Sequence, residues 1–202
     1  STSVIKEITG LNCFNQVYNG IMAAKEAGFE QIKINMVPML NINDNQIEPM
    51  IAFCIENGFI LRMIEVMPMG HTGQKTTGKN LSDFLKQITP KYHLIESTEV
   101  RGGGPARYWI SADGKFTLGL ITPISRHFCE TCNRVRLSVD GTLYMCLGQN
   151  ESYPLRELVR SPECTDDKIK SAIHQAMDLK PQKHDFVEDD TKIVRFMSMT
   201  GG

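Results

Sequence analysis

Three cysteines stand close together in the stretch HFCETCNRVRLSVDGTLYMC, residues 127–146. Cys129 and Cys132 form a Cys-x2-Cys pair, which places two sulfur atoms on one tight turn. Cys146 lies near the end of the second strand of a hairpin predicted from the Asp-Gly pair in this stretch, so the hairpin can return it to that turn. The pattern therefore predicts a metal centre that binds through these three thiolates.

The pattern by itself leaves several kinds of site open. An iron–sulfur cluster with three thiolates has one iron without a protein ligand, and that iron can bind a substrate atom. A zinc site would take His127 or Cys164 as its fourth ligand. A thioredoxin-like redox pair would require the Cys-x2-Cys to open a helix, and buried structural cysteines are the simplest alternative.

Arg134 and Arg136 follow the cysteine pair directly. Because they alternate on a predicted strand, their side chains should point to the same face. The planar guanidinium group matches the geometry of phosphate oxygens, so two of them beside a metal centre favour a nucleotide or polyphosphate ligand. A pair of solvated surface arginines is the alternative.

Charged and polar side chains also interrupt two apolar strands near the start of the chain: Lys33, Asn35, Arg62 and Glu65. Such groups are costly to bury without partners, so their presence predicts either a polar cavity that binds a charged ligand or a structural ion pair. Met67 and Pro68 close the second of these strands, at the position where the loops of a β/α barrel carry function.

The elements that must position these residues change character along the chain. The first part alternates between helices and strands, at 12–27, 31–39, 43–57 and 59–68, with Gly28 and Gly58 ending the helices. This order predicts parallel strands joined by right-handed crossovers, as in a β/α barrel or an open α/β sheet.

The second part predicts a polar loop at 70–80, a short helix at 81–88 and antiparallel structure from Arg101 onward. Two hairpins should turn at Asp113-Gly114 and Asp140-Gly141. A helix at 165–180 should present one stripe, formed by Ile169, Ile173, Ala176 and Lys180, and an acidic linker should follow it at 184–190.

Composition narrows the class of protein. The chain has 202 residues, 41% of them hydrophobic, which is enough for a sizeable core. The net charge of −1 argues against a nucleic-acid partner, and no apolar run approaches the roughly 20 residues of a membrane span. The sequence shows no targeting signal. The expected location is cytoplasmic if the protein is bacterial and the mitochondrial matrix if it is eukaryotic. Cys13, Cys54 and Cys164 are scattered, which is not typical of a disulfide scaffold.

The stretch FCETCNRVRLSVDGTLYMCL resembles the cluster motif of the molybdenum cofactor biosynthesis A family, the GTP 3′,8-cyclases. The segments GFEQIKINMV, LRMIEVMPMG, GGGPARYW and the closing GG resemble the same family in the same order, so the resemblance covers nearly the whole chain. It implies an α/β fold: residues 1–70 as the last βα units of an incomplete radical S-adenosylmethionine (β/α) barrel, and residues 71–202 as a mixed α/β C-terminal domain with antiparallel hairpins.

The resemblance also implies a reaction. A cluster near the N-terminus cleaves S-adenosylmethionine, and a second [4Fe–4S] cluster binds the GTP purine through its open iron. The product, (8S)-3′,8-cyclo-7,8-dihydroguanosine 5′-triphosphate, leads to the molybdenum cofactor. The implied ligands of the second cluster are Cys129, Cys132 and Cys146, and the implied GTP contacts are Lys33, Arg62, Arg134, Val135 and Arg136. Met67 is the implied contact to S-adenosylmethionine, and a glycine tail, Gly201 and Gly202, is implied in catalysis.

The sequence departs from the family in one large feature. The radical S-adenosylmethionine signature Cys-x3-Cys-x2-Cys is absent, so we expect this chain to be the C-terminal portion of the enzyme and to be inactive alone. The intact enzyme is expected to be a homodimer with GTP and S-adenosylmethionine as its small-molecule partners. The alternative is a non-catalytic zinc- or nucleotide-binding module.

Overall fold

A computed structural model describes residues 1–99, 103–126, 128–184 and 199 of the chain. Its helices are α1 (Thr2–Thr9), α2 (Phe14–Glu26), α3 (Ile47–Asn57), α4 (Gly70–Lys75), α5 (Leu81–Tyr92), α6 (Leu155–Val159) and α7 (Asp166–Asp178). Its strands are β1 (Lys33–Met36), β2 (Ile60–Ile64), β3 (Leu94–Ser97), β4 (Arg107–Ser111), β5 (Thr117–Ile121), β6 (Arg136–Leu137), β7 (Thr142–Tyr144) and β8 (Ser152–Pro154). Short 3₁₀ turns lie at Asp44–Gln46 and Cys129–Thr131.

The chain divides into two compact units. The first contains residues 1–66 and 77–122, and the second contains residues 67–76 and the chain from 123 onward. The domain boundary at residue 70 refers to the implied barrel and stays a prediction. The observed class is mixed α/β, with one mixed sheet and one antiparallel sheet.

A five-stranded sheet, in the order β1-β2-β5-β4-β3, organises the first unit. β1 and β2 are parallel, as the predicted helix–strand order requires, and α3 forms the crossover between them. The predicted hairpin at Asp113-Gly114 is confirmed, because β4 and β5 pair antiparallel on either side of it. The expectation of purely antiparallel structure after Arg101 is wrong for β5, since its other edge pairs parallel with β2.

The two faces of this sheet differ in polarity. Alternate residues such as Leu61, Met63 and Leu118 are fully buried in the core, together with Ile51 of α3 and Leu81 of α5. Because side chains alternate along a strand, the intervening positions point to the opposite face. Those positions include Lys33, Asn35 and Arg62. Packing of the core face therefore fixes the strand backbone from which these polar side chains project.

The first two helices, α1 and α2, are largely exposed to solvent. α2 forms where the sequence predicts it, but neither α1 nor α2 has a buried residue. Val17 of α2 is 47% exposed, whereas Ile21 packs against the core. Apolar residues on or beside these helices also remain exposed, among them Ile8, Leu11 and Tyr18.

The segment between β2 and β3 differs from the prediction at two points. The predicted polar loop contains α4, a short helix that lacks the apolar periodicity by which helices are recognised. The next helix, α5, begins as predicted, where the Asn80 side chain accepts hydrogen bonds from Ser82 N and Asp83 N. It continues past the expected end to Tyr92, with Pro90 in its last turn.

The second unit contains the antiparallel sheet β6-β7-β8 and the helices α4, α6 and α7. The predicted hairpin at Asp140-Gly141 is confirmed, and Gly141 has the positive φ of 81° that favours glycine. The predicted stripe of the last helix is partly wrong. Ala172 and Ala176 are buried, Ile173 is 38% exposed, and the helix ends at Asp178, before Lys180.

None of the helices in the described part of the chain is both long and apolar enough to cross a membrane. The predicted acidic linker at 184–190 lies outside the described residues except for His184, and Gly201 and Gly202 lie outside them as well.

Candidate functional site

The Cys-x2-Cys pair lies on a tight backbone turn, as its spacing predicts. Cys129 begins the 3₁₀ turn, and Cys132 N donates a hydrogen bond to Cys129 O at 3.1 Å. A second bond joins Thr131 N to Phe128 O at 3.3 Å. Both thiols are free and half-buried, so they are available as ligands.

Cys146 follows the end of β7 in the neighbouring hairpin. Burial raises the pKa of its thiol, the Gly148 backbone N–H and the positive charge of Lys180 act in the opposite direction, and the charges of Cys129 and Cys132 raise the pKa further. Like the other two, the Cys146 thiol is free and half-buried. That the three thiols form one cluster site stays a prediction.

Lys180 contacts the backbone next to the cysteines, although the sequence pattern gave it no role in the site. Its Nζ donates hydrogen bonds to Arg134 O and Met145 O, each at 2.7 Å. Arg134 follows the Cys-x2-Cys turn, and Met145 directly precedes Cys146. A lysine placed just past a helix end is a weak signal, because the residues it meets are distant in sequence.

The side chains present differ in how well they suit a single metal ion and a [4Fe–4S] cluster. Within residues 1–99, 103–126, 128–184 and 199, no three His, Cys, Asp or Glu side chains stand in position to hold a metal ion. Of the fourth zinc ligands considered, His127 lies outside the described residues, and Cys164 lies in the turn before α7. A [4Fe–4S] cluster differs from a single ion because its thiolates bind separate irons, and three free thiols are a suitable donor set for it.

The two predicted phosphate-binding arginines occupy different backbone settings. Arg136 begins β6 and pairs with Tyr144 of β7, whereas Arg134 lies before the strand. The Arg134 guanidinium carbon is 5.8 Å from the centre of the Phe128 ring. Val135, between them, is 39% exposed. Only Arg136 therefore lies on the strand, and the common face of the two arginines stays a prediction.

Lys33 and Arg62 lie on neighbouring strands of the first unit. In the register of β1 and β2, Asn35 is the direct partner of Arg62, and Arg62 Nε donates to Asn35 Oδ1 at 2.8 Å. On the other side Arg62 pairs with Gly119 of β5. A Cβ at Gly119 would come within 3.0 Å of Arg62 Cγ and 2.8 Å of Tyr108 Cε1, so the glycine leaves room for both side chains.

Met67 belongs to the second unit, where it packs with Met69, Ile124 and Leu147. Its carbonyl oxygen accepts a hydrogen bond from Met69 N at 2.7 Å. A Cβ at Gly73 of α4 would come within 2.5 Å of the same oxygen, so the helix can approach only because this residue is glycine. The turn that carries Met67 is thus closely packed against α4.

The family model for Molybdenum Cofactor Synthesis C matches residues 59–186. The chain belongs to this family. It is 43% identical over 201 residues to a GTP 3′,8-cyclase of Marinobacter nauticus, and the match covers 98% of this chain and 61% of the relative. It is 40% identical over 202 residues to the GTP 3′,8-cyclase of Pseudomonas fluorescens, with 98% and 60% covered.

A third GTP 3′,8-cyclase, from Saccharophagus degradans, is 39% identical over 200 residues, again with 98% of this chain and 60% of the relative covered. The chain thus spans about three fifths of the length of these relatives. The structure adds two residues that the sequence interpretation did not assign to the site, Gly119 and Lys180. Gly119 lies against Arg62, and Lys180 donates a hydrogen bond to Arg134 O. Asn35, which the sequence grouped with Lys33 and Arg62, accepts a hydrogen bond from Arg62.

Proposed function

We propose that the chain supplies the GTP-binding and second-cluster part of a GTP 3′,8-cyclase in molybdenum cofactor biosynthesis. The observation that carries the proposal is a set of three free, half-buried thiols, two on the Cys129–Thr131 turn and its end and one just past β7, beside a strand that begins with Arg136. Identity of about 40% to curated GTP 3′,8-cyclases over nearly the whole chain supports it.

Cys129, Cys132 and Cys146 would hold the cluster. When bound through three thiolates, a [4Fe–4S] cluster supplies an iron with an open coordination position that can take a purine donor atom. The chain's part is to keep three thiols free in a half-buried setting, with Lys180 contributing positive charge beside them. That charge offsets part of the negative charge of the thiolates.

The two arginine side chains that follow the Cys-x2-Cys pair, Arg134 and Arg136, are proposed to bind the triphosphate. Arg136 is anchored by the β6–β7 ladder, so its guanidinium starts from a fixed backbone position. Arg134 lies against Phe128, which limits its freedom before any ligand arrives. Fixed guanidinium groups lose less entropy on binding phosphate than mobile ones do. Val135 between them is proposed to contribute backbone contacts.

Lys33 and Arg62 are two further proposed GTP contacts. The hydrogen bond to Asn35 uses Arg62 Nε and leaves the terminal nitrogens of the guanidinium for a ligand.

The parallel strands β1, β2 and β5 with the α3 crossover are compatible with part of a radical S-adenosylmethionine barrel. In the complete enzyme, a further cluster would bind S-adenosylmethionine, with Met67 as a contact from this chain and Gly201 and Gly202 near the reaction.

The test is GTP binding by the anaerobically reconstituted protein. Iron and sulfide analysis should give one [4Fe–4S] cluster at the three cysteines, and calorimetry should detect GTP binding. Arg136→Ala should weaken that binding by about tenfold or more, since a charge-assisted hydrogen bond contributes roughly 1.5–3 kcal/mol. Arg160→Ala, at the end of α6, is the control and should leave affinity unchanged.

Two results would overturn the proposal. One is a colourless protein that binds one zinc per chain, which would favour the non-catalytic zinc module. The other is a reconstituted cluster protein whose affinity for GTP is the same with Arg136 and with alanine at that position.

A further inference from the structure

Lys180 joins the two backbone segments that carry the cysteines. Its Nζ bonds to Arg134 O and to Met145 O, both at 2.7 Å. Arg134 comes shortly after Cys132, and Met145 is the residue before Cys146. A single ammonium group therefore links the Cys-x2-Cys turn to the strand end that presents the third thiol.

Strand pairing does not extend to this position. The β6–β7 ladder pairs Leu137 with Leu143 and Arg136 with Tyr144, and it ends there. Cys146 lies beyond the last pair. Met145 is held from the other side, where its backbone N donates to Glu151 O at 3.0 Å. The two bonds from Lys180 thus fasten the segments where the ladder has stopped.

The base of the lysine is itself well fixed. Ala176, one turn earlier, is fully buried and belongs to the same core cluster as Leu143 and Met145. Lys180 N donates to Met177 O at 3.0 Å, which continues the turn past the end of α7. Farther along, His184 Nε2 lies 2.8 Å from Pro123 O. The last helix therefore packs on the β6–β7 hairpin, and this packing fixes the position of the Lys180 ammonium group.

We propose that Lys180 is a positioning residue for the cluster site. It sets the place of Cys146 relative to the Cys-x2-Cys turn and keeps a positive charge beside the thiolates. Bonds from a charged donor are shorter and stronger than neutral ones, so one side chain is sufficient to link both segments. The inference rests on the proposed function, because it concerns the cluster assigned there to Cys129, Cys132 and Cys146.

Groups that orient metal ligands commonly change metal affinity about 10–100-fold when they are removed. We therefore expect Lys180→Met, in the anaerobically reconstituted chain, to release iron to a chelator about 10–100-fold faster than wild type. The reduction potential of the cluster should shift to more negative values, because adding an electron becomes less favourable once the neighbouring positive charge is gone. A potential measured on the clusters that remain separates this effect from simple loss of folded protein.

Lys170→Met is the matched control. Lys170 lies on α7, its side chain is 71% exposed, and its ion pair with Asp167 is a surface pair of little energetic weight. It should match wild type in both iron release and potential. Lys180→Arg keeps the charge and several donors, so it should restore the potential toward the wild-type value.

The outcomes separate the two proposals. Wild-type iron release and an unchanged potential in Lys180→Met would overturn the positioning role while leaving the cluster assignment intact. If the methionine variant does not fold by circular dichroism, Lys180→Gln decides, because it retains a donor but not the charge. An unchanged potential in that variant would equally overturn the role. A wild-type chain that binds no [4Fe–4S] cluster would overturn both proposals.

Discussion

The two units place their candidate site residues by different means. In the first, Lys33 and Arg62 project from parallel strands whose other face is packed into a large core. In the second, Cys129 and Cys146 lie on a turn and beyond the end of a three-residue strand. A broad sheet fixes positions through many small contributions, whereas a turn and a short hairpin depend on a few individual contacts. Single substitutions should therefore act differently in the two units.

The largest effect should be in the second unit. Cys146→Ser should abolish assembly of the cluster, because two thiolates on one turn leave the third iron without its ligand. Iron and sulfide per chain after anaerobic reconstitution measure this. Cys164→Ser, which replaces another free and half-buried thiol in the same unit, should retain the full iron content. Full iron in the Cys146 variant would show that the thiolate assignment is wrong.

In the first unit, the largest effect of a single substitution should come from truncating a core side chain under the strands that carry Lys33 and Arg62. Leu61 is fully buried, and Leu61→Ala should reduce the free energy of unfolding by about 2–5 kcal/mol through lost burial and a residual cavity. Chemical denaturation measures the loss. Ile95→Ala on β3, where the side chain is 65% exposed, should change stability by no more than about 0.5 kcal/mol. Equal losses in the two variants would contradict the described core.

A smaller substitution tests the register directly. Gly119→Ala would place a methyl group 2.8 Å from Tyr108 Cε1 and 3.0 Å from Arg62 Cγ. Overpacking of this kind costs about 1–3 kcal/mol of stability, and displacement of Arg62 should also weaken GTP binding. Denaturation and calorimetry on the same preparation give both values. Gly103→Ala has open space around the new methyl group, so wild-type values are expected for it. A Gly119 variant indistinguishable from this control would mean that Arg62 does not lie against Gly119 as described.

The smallest effect at neutral pH concerns Cys54. Burial raises the pKa of this thiol from an ordinary value near 9 to about 12. Above pH 9 the unfolded chain loses this proton while the folded chain keeps it, so stability should fall as pH rises from 9 to 12. The slope should approach about 1.4 kcal/mol per pH unit for one proton. Cys54→Ala removes the titrating group, and its stability should decline less steeply over the same range; parallel curves would contradict the prediction.

The elements that could be predicted from the sequence are those whose signal is local. The helix periods, the glycines that end α2 and α3 and the Asp-Gly pairs of both hairpins depend on residues near one another in the chain. The tight turn of the Cys-x2-Cys pair and the hairpin that precedes Cys146 could likewise be predicted from local sequence, whereas the site formed by Cys129, Cys132 and Cys146 stays a prediction.

The rest depends on contacts between distant segments. Nothing local to β5 indicates that its second edge pairs with β2, and nothing local to Lys180 indicates that it reaches Arg134 O and Met145 O. The predicted stripe of α7 misplaced Ile173 because periodicity cannot tell which apolar side chains a particular neighbour will cover.

The double pairing of β5 has a consequence for the order of folding. Its partner β4 lies just across a tight turn, with Ile110 opposite Thr117, whereas Thr117 on the other edge meets Ile60 from far earlier in the chain. Closing a short loop costs less entropy than closing a long one, so we expect the β4–β5 hairpin to form first and to serve as the template for β2. The parallel half of the sheet would then assemble on an edge that the antiparallel half has already completed.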